Sequence, residues 1–125
     1  ILPKRLASLS LWIEQLIAES TGKQDTGIVP ITSESLLPHY GTDRSAVVIE
    51  LFGQETDPGI IARLKTTSCP LLTIQMPDTN ALGGEFFRWE IAAATAGFLL
   101  GVNPFNEPNV QQSKKTTQKR LQRRF

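Results

Sequence analysis

Two apolar runs constrain this chain more than any other feature: Ala46-Val47-Val48-Ile49-Glu50-Leu51-Phe52 and Leu71-Leu72-Thr73-Ile74-Gln75-Met76. Runs this continuous and β-branched are expected of strands covered on both faces. Between them, Asp57 is suited to cap a helix, Pro58 to its first position, and Ile60, Ile61 and Leu64 to its buried side. A strand, a helix and a second strand predict a parallel pair with a crossover.

The flanking sequence supplies layers for that sheet. Leu6, Leu9, Ile13, Leu16 and Ile17 recur at spacings of three and four, which predicts an amphipathic helix over about residues 3–21, stopped by Gly22. Gly27 to Ile31 reads as a strand start or extended segment, and the polar stretch Thr32 to Arg44 as a surface loop. Asn80 is expected to cap a long helix reaching about Gly101, with Leu82, Phe86, Trp89, Ala93, Gly97 and Leu100 on one broad face. Its small-sided part, Ala92 to Gly97, requires another element to pack closely. Asn103-Pro104 breaks the chain, and a last helix starts near Asn106 or Glu107. This order predicts one α/β domain over residues 1–125, a three-layer sandwich with a small, mainly parallel sheet.

Composition narrows the function class mainly by exclusion. With 125 residues the chain closes one core, and 40% hydrophobic and 20% charged residues are those of an ordinary globular protein. One cysteine, Cys69, allows no internal disulfide and fits a reducing compartment; its place before Pro70 at a strand entrance reads as packing. With a single histidine beside it there is no metal-ligand cluster, and no cofactor motif occurs. The nearly charge-free stretch Ile91 to Val102 is too short to span a bilayer, and no secretory signal is evident near Lys4 and Arg5. A cytoplasmic protein is expected. Because the sequence starts at Ile1 rather than Met, it is read as a piece of a longer protein.

Net charge is +1, but six Lys/Arg and no acid lie between Lys114 and Arg124. One reading makes this a tail for nucleic acid, whose signature is a strong salt dependence of binding. The tail lacks interleaved aromatics, and basic residues at a helix end compensate its dipole. No nucleic-acid partner is therefore expected.

Three local strings go further: Glu14-Gln15-Leu16-Ile17-Ala18-Glu19-Ser20-Thr21-Gly22-Lys23; Leu82-Gly83-Gly84-Glu85-Phe86-Phe87-Arg88-Trp89-Glu90; and Gly101-Val102-Asn103-Pro104-Phe105-Asn106-Glu107-Pro108-Asn109-Val110, followed by Lys114. The first resembles the segment around the catalytic glutamate of phosphoglucose isomerases. The third resembles their Asn-Pro-Phe-Asp-Gln-Pro-Gly-Val segment, and the second the long helix before it. The wording is closest to isomerase modules fused behind a transaldolase. The central part, about Thr32 to Ser68, carries little of this signal.

The resemblance implies the C-terminal sugar-isomerase (SIS-like) piece of a glucose 6-phosphate/fructose 6-phosphate isomerase acting through an enediol(ate). Glu19 is then the general base and acid, and Gln15 a substrate-positioning donor. Four residues apart, the two share one helix face. That face borders the Trp12–Leu16 stripe, so Glu19 is expected at the rim of the core, where partial burial tunes a base for carbon acids. Lys114 corresponds to the family's active-site lysine and, one turn after Val110, is expected to share that residue's inward face. The family opens the sugar ring with a histidine, in some bacterial members borne by a partner subunit, which makes His39 a candidate. Glu107 stands where the family has a glutamine near the substrate phosphate, and a carboxylate there repels an anion.

The family's phosphate-binding Ser/Thr-rich loop and Gly-Gly-Arg segment are not in this sequence; the resemblance places them in a preceding N-terminal isomerase domain. It also implies a homodimer in the full-length protein, and a fragment inactive by itself. The competing class is a non-catalytic sugar-phosphate sensor of the same fold.

Overall fold

The computed structural model describes residues 1–32, 41–53, 56–106 and 108–122. A 3-10 turn at Lys4–Leu6 leads into α1 (Ala7–Thr21); then come β1 (Ala46–Leu51), α2 (Pro58–Lys65), β2 (Leu71–Met76), a 3-10 turn at Thr79–Ala81, α3 (Leu82–Leu100) and α4 (Pro108–Gln122). The strands pair in parallel, with Ala46 opposite Leu71 and Leu51 opposite Met76. On the other edge of β1 lies Ile1, whose carbonyl accepts from Ile49 N at 3.0 Å.

Side-chain alternation along the strands sorts the core into faces. Ile49 and Leu51 of β1 and Ile74 and Met76 of β2 form one cluster with Leu6, Leu9, Ile13 and Ile17 and with Ala93 of α3. Trp12 of α1 meets Phe86 of α3 edge-on, ring centroids 4.6 Å apart. Val48, Leu64 of α2 and Cys69 are buried outside that cluster. The α/β class, the parallel pair and a small sheet thus follow the sequence pattern, and Cys69 is a packed free thiol as expected.

Several local expectations change. Residues 27–31 form no strand, Ile28, Val29 and Ile31 are exposed, and the sheet has two strands among the described residues. β2 is not covered on both faces: Leu72, Thr73 and Gln75 are exposed, so its alternation marks an edge strand with one wet face. Asp57 does cap α2, its Oδ1 accepting from Gly59 N at 2.8 Å. The cap before α3 is Asp78, not Asn80. Its Oδ1 accepts from Asn80 N at 2.7 Å, and the turn at Thr79–Ala81 then separates it from the α-helix proper. No helix among the described residues is long and apolar enough to cross a membrane.

Candidate functional site

Two of the three strings converge at the C-terminal end of α1. Gly22 ends the helix where only glycine fits, since a Cβ there would lie 2.6 Å from the Ala18 carbonyl oxygen. The chain then reverses in a two-residue hairpin. Lys23 and Thr26 exchange backbone hydrogen bonds of 2.9 and 3.0 Å, while Gln24 and Asp25 take φ of 55° and 60°. Two consecutive left-handed residues are the turn that matches strand twist. Thr21, fully buried, locks the arrangement: its hydroxyl donates to Ile17 O at 2.8 Å and accepts from Ile28 N at 3.0 Å.

The third string approaches from α3. Gly101, in the left-handed region at φ 72°, terminates that helix, with Val102 N bonded back to Gly97 O at 3.0 Å. The Pro104 ring sits so close to Gly97 that a Cβ there would lie 2.9–3.0 Å from three ring carbons. The small-sided stretch is thus packed on as expected: Ala93 lies in the core cluster with α1 and the sheet, and at Gly97 the close neighbour is the loop that follows the helix. Asn103 Oδ1 accepts from Phe105 N at 2.9 Å and stiffens the loop. Lys23 joins the two strings: it is 5% exposed, and its Nζ donates to Asn103 O at 2.7 Å.

Glu19 lies on the last turn of α1, exposed, with Gln15 Nε2 donating to its Oε1 at 3.0 Å. The expected pairing of these residues on one helix face is present, but the expected partial burial is not. At about 100° per residue, position 19 lies some 200° from Ile17, so it faces away from the stripe that packs on the sheet. Glu14, half-buried on the same helix, accepts a hydrogen bond from the Thr32 hydroxyl.

Lys114 is on α4, where every described side chain is exposed. It borders a shallow hollow of the helix surface with Val110, Ser113, Thr117, Gln118 and Leu121. The turn-wise relation between Lys114 and Val110 holds, but Val110 is 43% exposed rather than inward-facing. His39 and Glu107 lie outside the described residues. Among the described residues no cluster of three metal-ligating side chains occurs.

Two side chains escaped sequence reasoning. Lys23 belongs to the first string, but a lysine in a turn gives no sign that its ammonium is buried. Glu85 of α3 is 3% exposed; its Oε1 accepts from Arg88 Nε at 3.1 Å and its Oε2 is buried without a hydrogen-bond partner. An acid in the first turn of a helix reads from sequence as dipole compensation, which conceals the burial.

No family model matches the chain. It is similar to curated proteins called glucose-6-phosphate isomerase. One from Exiguobacterium sibiricum is 29% identical over 86% of this chain and 33% of its own length. One from Parabacteroides distasonis is 28% identical over 89% of this chain and 34% of its own. One from Pediococcus pentosaceus is 43% identical over 82% of this chain and 32% of its own. The chain spans about a third of the length of the curated relatives it matches.

Proposed function

The chain belongs to the glucose-6-phosphate isomerase family, and from that premise we propose that it is the C-terminal catalytic piece of an aldose–ketose isomerase. Its reaction interconverts glucose 6-phosphate and fructose 6-phosphate. The observation that carries this reading is Glu19, open to solvent at the end of α1 with the Gln15 amide bonded to its carboxylate. A carboxylate presented this way is free to meet a substrate carbon, whereas one buried in a structural network is not.

In the proposed step Glu19 takes the proton from C2 of the opened aldose, leaving an enediol(ate), and delivers it to C1. The hydroxyl proton at O2 relocates to O1, so the sugar is isomerised without net loss or gain. Gln15 would orient the carboxylate and then a sugar oxygen; Lys114 would face the substrate's oxygens during ring opening. His39 remains the candidate ring-opening acid, and Glu107 the neighbour of the phosphate, tolerated there by a cation between them. The desolvation that raises a base's proton affinity would come from substrate and from polypeptide beyond this chain.

That further polypeptide has a place to dock. Phe87, Ile91 and Phe98 recur along α3 at helical spacing and are 67%, 52% and 82% exposed; Leu99 and Phe105 extend the apolar surface. A helix with apolar residues on its outer face as well as its inner one is suited to lie between two layers. The stripe supports a preceding isomerase domain, equivalent to part of the two thirds of the relatives outside the match, as its cover. A homodimer, a cytoplasmic location and a transaldolase fused in the parent complete the proposal.

The test is isomerase turnover of the full-length protein beside its Glu19→Gln variant. Loss of about 10²–10⁴-fold in kcat with sugar phosphate still bound supports Glu19 as the shuttle. Unchanged turnover removes it, and an inactive parent that binds sugar phosphate establishes the sensor reading instead.

A further inference from the structure

We propose that Lys23 is a positioning residue: its buried ammonium fixes the loop after α3, and with it the start of α4, against the end of the helix that carries Glu19. The proposal rests on the reading of Glu19 and Lys114 given above and adds to it the part that sets their relative placement.

One directed bond joins two stiff parts. On one side, the Lys23 backbone N donates to Thr21 O and to Thr26 O, at 2.8 and 2.9 Å, so the residue is held within the hairpin. On the other, Asn103 sits between the Gly97–Val102 backbone bond, the Pro104 ring on Gly97, and its own side-chain bond to Phe105 N. The Nζ to Asn103 O bond of 2.7 Å crosses 80 residues of sequence. A charge-assisted hydrogen bond is short and strongly oriented.

Burial makes the choice of lysine informative. Taking an ammonium out of water is costly, and its partner here is a neutral carbonyl rather than a carboxylate. An apolar side chain would fill the same space without that cost but would leave Asn103 O without its donor. What the lysine adds is direction. The loop it holds leads within a few residues to Pro108, the first residue of α4, six positions before Lys114.

The experiment uses the full-length protein. Spin labels on Ala18→Cys and Thr117→Cys, both exposed positions, with the other cysteines replaced, report the distance between α1 and α4. Turnover of glucose 6-phosphate is measured in parallel on unlabelled Lys23→Met, Lys23→Gln and Lys23→Arg; Lys23→Gln serves should Lys23→Met not fold. The expected result is a narrow distance distribution in the parent that broadens or shifts in Lys23→Met. With it, kcat is expected to fall about tenfold to a hundredfold and KM to change less, because small misplacements of reacting groups are costly. Lys23→Arg, which keeps a charged donor, should recover part of both signals, as a purely volumetric role would not.

An unchanged distribution in Lys23→Met overturns the proposal whatever the turnover. A broadened distribution with parental kcat overturns it as well, provided Glu19→Gln is inactive. If Glu19→Gln is fully active, the reading of Glu19 has failed instead, and the labels alone then decide whether Lys23 holds the loop.

Discussion

The end of α1 and the helix α4 carry the candidate residues Glu19 and Lys114, yet they are built in opposite ways. Around Glu19 each backbone turn has a cause: Gly22 under the Ala18 carbonyl, the Lys23–Thr26 hairpin, the buried Thr21 hydroxyl and the Lys23–Asn103 bond. Along α4 every described side chain is exposed, and its apolar residues Val110 and Leu121 are wet. The turn after Glu19 is therefore held by contacts within this chain, while the described side chains of α4 face solvent. The difference teaches that a motif is preorganised where its own residues, here Thr21, Gly22 and Lys23, are anchored to the rest of the fold.

Perturbing the two regions should break or sharpen that contrast. The largest effect is expected from Glu19→Gln, about 10²–10⁴-fold in kcat of the full-length protein, with urea unfolding unchanged because the side chain is exposed. A comparable loss of stability would mean that Glu19 is structural.

Next come changes to the anchored region. Gly97→Ala forces a Cβ against the Pro104 ring and should cost about 1–3 kcal/mol in urea unfolding. Thr21→Val removes both hydrogen bonds of a buried hydroxyl and leaves Ile28 N, at a partly buried position, without its acceptor; it should cost about 1 kcal/mol by the same measurement. If both were neutral, the junction would be no more constrained than α4. Gly84→Ala, on the same helix as Gly97, meets no heavy atom within 4 Å and should instead stabilise by up to about 1 kcal/mol.

The smallest effect on stability is expected from Lys114→Ala, within about 0.5 kcal/mol for an exposed helix position. Turnover of the full-length protein should fall nonetheless, and parental turnover would remove Lys114 from the proposed site.

Much of the architecture was legible because it rests on local chemistry. Periodicity located α1, the β-branched runs located β1 and β2, and Asp57-Pro58 marked the start of α2. Errors fell where two local signals competed. Asp78 and Asn80 are both capping residues, and the intervening 3-10 turn decided for Asp78. The apolar run of residues 27–31 reads as a strand start or an extended segment; the Thr21 hydroxyl takes the Ile28 N–H, and the segment joins no ladder. In the candidate site, the i, i+4 relation of Gln15 and Glu19 was visible because helix geometry alone dictates it. Exposure of Glu19 was implicit in the same geometry, about 200° from Ile17, but nearness to Trp12 and Leu16 outweighed that angle in the expectation of partial burial.

By itself the sequence determined the α/β class, the parallel pairing, and the strings that place the chain in its family, because turn, cap and periodicity act within a few residues. Only the tertiary structure decided that Lys23 is buried on Asn103, that Pro104 fills the space above Gly97, and that Glu85 is enclosed. Each of the three joins groups whose meeting depends on how helices pack, and no local rule reports an ammonium's partner 80 residues away.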